Sequence, residues 1–115
     1  MLKAHPDLVG VYDSVDVSAQ GSLQALIAAH SKAILGSIGG QEYALKDIAS
    51  GTSNWKFTVP YPFELVGEKA IDVAAAVAGG KVVQPVYLIP VQPVATEANA
   101  AEVLSKIQRE IAEGE

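Results

Sequence analysis

The chain has 115 residues, half of them apolar, with eight Lys plus Arg against thirteen Asp plus Glu and a formal net charge of −5. That length supports one hydrophobic core but not two, so residues 1–115 read as a single folded unit. No Lys/Arg cluster offers the basic stripe that phosphate neutralisation needs, which excludes nucleic acid as a partner, and the absence of Cys excludes disulfides, thiolate zinc sites and a thiol nucleophile.

Residues 1–7, MLKAHPD, lack the apolar run of a secretory signal, and no stretch approaches the roughly 20 apolar residues of a membrane span. Leu8-Val9-Gly10-Val11-Tyr12, bounded by Pro6-Asp7 and Asp13-Ser14, is expected as a buried strand. From Ser18 to His30 the residues Ala19, Leu23, Leu26 and Ile27 recur at helical spacing, with Asp16 or Ser18 available to cap the first free amides. A second strand is expected over 33–38, closed by Gly39-Gly40, and a second helix over 41–49 through Tyr43, Leu45 and Ile48. Gly51 suits the left-handed turn that ends this helix. Trp55 to Val59 alternates as a third strand and Pro60-Tyr61-Pro62 breaks it. Pro62 then suits a helix's first turn, and Leu65, Ala70, Ile71, Val73, Ala74 and Val77 give that helix a wide apolar face before Gly79-Gly80. A fourth strand is expected over 84–94, and a last helix over 99–113 with Ala101, Val103, Leu104, Ile107 and Ile111 on one side.

Strands alternating with helices imply a three-layer α/β/α class with a mainly parallel sheet and right-handed crossovers. Small ligands of such sheets sit outside the carboxyl ends of the strands, which here are residues 12–16, 37–41 and 60–63. Asp13 and Asp16 are the best polar pair there, spaced to share a metal ion or to bind neighbouring hydroxyls, although Asp16 also stands where a helix cap is needed. Gly36-Ser37-Ile38-Gly39-Gly40 lacks the three-glycine spacing of a dinucleotide loop, and no cofactor motif is present. Ser14, Ser37, His5 and His30 are residue types of a hydrolase, but no nucleophile elbow surrounds either serine, so the chain is not expected to be an enzyme. Among the aromatic residues, Tyr12 and Phe63 are expected in the core, His30 solvated at a helix end, and Tyr61 free to stack on a sugar or base.

These residues also carry a resemblance. Met1 to Asp7 resembles a family helix end written LLxAHPD, Leu8 to Gly21 the strand, ligand loop and helix start after it, Phe57-Thr58-Val59 with Gly67 a crossing between lobes, and Ile89-Pro90-Val91 with residues 94–99 a closing strand and VTxEN-like turn. In order and spacing the chain resembles the carboxy-terminal third of a type I periplasmic sugar-binding protein, the ribose and galactose type of ABC-importer receptor. The resemblance implies a partial lobe of a two-lobed fold, a sugar-like solute in the cleft, no catalysis, an importer permease as partner, a periplasmic parent protein, and a Met1 that falls inside a family helix. The usual Asn-Asp falls on Val15-Asp16, the ligand Asp of Gly-Phe-Asp-Gly falls on Ile38, and the crossover Gln falls on Tyr61. Asp13, Ser14, Asp16, Gln41 and Tyr61 are then the expected ligand-binding residues, for a polar solute other than an ordinary pentose or hexose. Two further readings stand beside this one. One is a structural fragment whose open sheet associates into a homodimer, exchanging its last helix. The other is an effector-binding domain of a LacI-type regulator, for which the chain shows neither a DNA-binding head nor basic charge.

Overall fold

Short β-branched segments and Ala/Leu-rich segments alternate along the chain, and each takes the state its pattern favours. The computed structural model describes residues 2–113. Its elements run β1 (Gly10–Tyr12), α1 (Asp16–Ala28), β2 (Ile34–Gly39), α2 (Glu42–Ala49), β3 (Trp55–Pro60), α3 (Phe63–Ala78), β4 (Ala95–Thr96) and α4 (Ala100–Glu113). The strands form one sheet in the order β1-β2-β3-β4. β1, β2 and β3 are parallel, and β4 joins β3 antiparallel through Phe57 opposite Thr96 and Thr58 opposite Ala95. The class is α/β with a mostly parallel sheet, as expected.

The described residues divide into two compact units. The first comprises residues 2–60 and 93–113, the second Tyr61–Gln92. The first contains the whole hydrophobic core: Ala19, Leu23 and Leu26 from α1, Ala33 and Leu35 around β2, Ala44, Leu45 and Ile48 from α2, then Trp55, Ala95 and Ala100. Val103, Leu104 and Ile107 of α4 pack against this cluster at the i, i+4 spacing that puts them on one side of the helix. Ile27 is corrected: one residue past Leu26, it turns away from the buried stripe and is half-exposed.

β1 is shorter and less buried than the strand expected over 8–12. It pairs only with β2, and Tyr12, expected in the core, is 59% exposed on this edge strand. The strand expected over 84–94 is absent, because Pro85, Pro90 and Pro93 remove ladder donors, and the fourth strand forms instead at Ala95–Thr96.

The second unit is one helix and a segment without regular secondary structure. Pro62 precedes the first residue of α3, Tyr61 and Phe63 pack ring against ring with centroids 4.7 Å apart, and Lys69 lies over the Tyr87 ring. No residue of α3 is buried, so its expected apolar face, Phe63 included, makes no core.

Candidate functional site

β1, β2 and β3 end side by side, and the sequence puts polar groups at those ends. The Asp13 amide donates to the Gly36 carbonyl at 2.9 Å, which carries the β1–β2 pairing to its last residue. Beyond it the chain enters α1, whose N-cap position is Val15, extended and with no side-chain cap. Neither Asp16 nor Ser18 caps the helix, which corrects the sequence reading. Asp16 is instead the first helical residue, and its side chain turns inward.

There the Asp16 carboxylate, 1% exposed, gathers donors from three elements. Oδ1 accepts the Ser37 hydroxyl of β2 at 2.6 Å and the Thr58 hydroxyl of β3 at 2.7 Å, while Oδ2 accepts the Gln41 amide ahead of α2 at 2.8 Å. Trp55 Nε1 donates to Ser37 Oγ at 2.9 Å and the Gly40 amide to Thr58 Oγ1 at 3.3 Å, so both hydroxyls that serve Asp16 are themselves oriented. Among the described residues no cation pairs with Asp16; the ion pairs are Lys46–Glu42 and Lys106–Glu110 on the surface. The buried charge is held by three donors and the positive end of α1.

The close approach of β2's end to this carboxylate depends on glycine. Gly39 has φ +151°, and a Cβ there would stand 2.7 Å from Asp16 Oδ2; Gly40 has φ +75°, and a Cβ there would stand 2.7 Å from the Pro60 Cα. Both positions require a residue without a side chain.

Asp13 differs from Asp16. Its Oδ1 accepts the Ser18 hydroxyl at 2.9 Å, while its Oδ2 is shielded from solvent and has no hydrogen-bond partner. Ser14 and Gln41 are exposed beside the same strand ends, and Gln41 engages Asp16 only through its backbone amide. Tyr61 lies in the second unit, half-exposed against Phe63. Of the five expected site residues, Asp13, Ser14, Asp16 and Gln41 therefore gather at the ends of β1 and β2. Sequence reasoning missed Ser37, Thr58 and Trp55 as parts of this network. The available signal was a lone hydroxyl inside each of two apolar strands.

Tyr43 of α2 packs on Trp55 with ring centroids 6.3 Å apart, and its hydroxyl is shielded and without a partner. Burial, and after it the charge of Asp16, holds this phenol above its ordinary value of 10.0. Two concavities are lined by none of Asp13, Ser14, Asp16 and Gln41. One of about 180 Å³ is lined by Leu2, Val11, Ser22, Ala25 and Leu26, and a larger one of about 420 Å³ lies among residues 2–8 and 29–32, near the amino ends of β1 and β2. His30, exposed beside α1 as expected, borders the larger cleft. Among the described residues no group of three or more His, Asp or Glu could hold a metal ion.

No protein-family model matches the chain, and no curated protein matches it. Solved structures do. An ABC transporter solute-binding protein from Mycobacterium smegmatis with bound glycerol is 30% identical, with a TM-score of 0.78 over 88% of this chain. The periplasmic binding protein of the arabinose ABC transporter from Shewanella sp. ANA-3, bound to L-arabinofuranose, is 25% identical, with a TM-score of 0.74 over 97% of this chain. The structural neighbours of this chain are type I periplasmic sugar-binding proteins of ABC transporters. A third, an ABC transporter solute-binding protein from Agrobacterium vitis, shares the fold at 23% identity and a TM-score of 0.79 over 91% of this chain. The chain spans 35%, 38% and 37% of the lengths of these three, about a third of each. The expected resemblance and fold class thus agree with the solved relatives.

Proposed function

We propose that the chain is a sugar- or polyol-binding part of an ABC-importer receptor, holding its solute at the carboxyl ends of β1 and β2 without chemical change. The observation that carries this reading is the Asp13 carboxylate, with one oxygen already engaged by Ser18 and the other shielded and lacking a donor. A solute hydroxyl supplies that donor, and a charge-assisted bond of this kind is the strong type by which polar solutes are held. Ser14 and Gln41 offer further polar groups at the same strand ends. Asp16, buried and already receiving three donors, serves this site by orienting its loops. Glycerol and L-arabinofuranose in two of the neighbours support the polyhydroxyl class. A periplasmic setting and delivery to a membrane permease belong to the same proposal.

Calorimetric titration with glycerol, L-arabinose and a set of hexoses and sugar alcohols tests it. Saturable heat with at least one polyhydroxyl compound is expected, weakened about tenfold or more by Asp13→Ala as a charge-assisted hydrogen bond is lost. Absence of saturable binding throughout, or an Asp13→Ala variant that binds as tightly as the unsubstituted chain, would contradict it.

A further inference from the structure

Thr58 of β3 is fully buried, and its hydroxyl lies between two segments of the proposed solute site. It donates its one proton to Asp16 Oδ1 at 2.7 Å and accepts the Gly40 amide at 3.3 Å. The first bond reaches the start of α1, where the loop carrying Asp13 and Ser14 ends; the second reaches the turn into α2, which carries Gln41. The Gln41 amide, one residue on, donates to Asp16 Oδ2 at 2.8 Å. Hydroxyl, two consecutive amides and carboxylate thus close a ring. Its direction is fixed, because an amide N–H only donates and a carboxylate only accepts. Ser37 of β2 is wired in the same sense, donating to Asp16 Oδ1 and accepting the Trp55 indole N–H. That branch ends in the core, at Trp55, whereas the Thr58 branch ends on the turn of the site itself.

We propose that Thr58 is a positioning residue of the solute site, holding the Gln41 turn and the Asp13–Ser14 loop in one fixed relation to each other. The inference rests on the solute site proposed above. Thr58 acts through Gly40 and Asp16: a ring closed on both segments orders them in the free chain, and ordering already done is not charged to binding. Nothing else in β3 joins the two segments so directly, since the Trp55 indole reaches Asp16 only by way of Ser37.

Calorimetric titration of residues 1–115 with glycerol, L-arabinose and the sugar alcohols, on three variants beside the unsubstituted chain, is the test. Thr58→Val keeps the side chain's shape and removes both hydroxyl bonds, so the dissociation constant is expected to rise about tenfold. Thr58→Ser keeps the hydroxyl and stays within about threefold of the unsubstituted chain. Ile48→Val trims the buried core without touching the ring; it lowers stability and leaves affinity unchanged, which separates positioning from general destabilisation. Amide exchange supplies a readout that needs no solute. Gly40 and Gln41 are expected to be protected in the unsubstituted chain, and Thr58→Val to open them. Free exchange at both amides in the unsubstituted chain overturns the inference even if Thr58→Val does not fold. Saturable binding that Thr58→Val leaves intact, or that Thr58→Ser weakens as far as Thr58→Val does, overturns it while the solute site stands. Absence of saturable binding by the unsubstituted chain removes the solute site and the inference with it.

Discussion

At the scale of single residues, two aspartates three positions apart do different work because one is a strand end and the other the first turn of a helix. Asp16→Ala would strand the Ser37 and Thr58 hydroxyls and the Gln41 amide in a buried setting, and a loss of about 3 kcal/mol in denaturant-monitored stability is expected. Asp16→Asn recovers only part, since an amide offers one acceptor oxygen where the carboxylate uses both. Tyr43→Phe goes the other way. It removes a shielded hydroxyl without a partner, for a gain of about 1 kcal/mol. The folded-state phenol titrates above its ordinary 10.0, so the unfolded chain loses this proton first as pH rises. The stability tied to Tyr43 is therefore full below that value and falls above it, and Tyr43→Phe flattens the alkaline limb of the stability curve. Thermal unfolding across alkaline pH for both proteins checks this sign.

Among the elements, the turn from β2 into α2 is the most constrained, because it passes against the Asp16 carboxylate and Pro60 together. Gly39→Ala would place a methyl on that carboxylate at a positive φ, and a loss of about 2 kcal/mol is expected by chemical denaturation. An equal substitution at Gly21, whose Cβ would meet nothing within 4 Å, serves as the control. Periodicity alone made most elements legible: α1, α2, β2, β3 and α4 fall within two residues of their apolar patterns. The site was half-legible. Asp13 and Asp16 both stand out as carboxylates at a strand end, but Asp16 also fits a cap, since the sequence shows only its distance from a helix start. The hydroxyls of Ser37 and Thr58, 21 and 42 residues away, reach it only through parallel pairing. The misplaced fourth strand has the same cause: its apolar residues fit a strand, but a strand also needs an edge to pair with and donors that prolines lack.

For the whole molecule, the apolar content that suggested one core is divided between a unit that uses it and a unit that does not. Composition counts the two alike; only the fold shows that α3 buries nothing. The proposed solute site lies at the strand carboxyl ends, with the partnerless Asp13 oxygen and the exposed Ser14 and Gln41. Mapping amide chemical shifts of residues 1–115 during addition of glycerol, L-arabinose and the sugar alcohols tests that proposal most directly. Saturable shifts centred on residues 13–16 and 39–41, lost in Asp13→Ala, are the result this structure predicts. Shifts confined to the cleft among residues 2–8 and 29–32, or none with any compound, would contradict it.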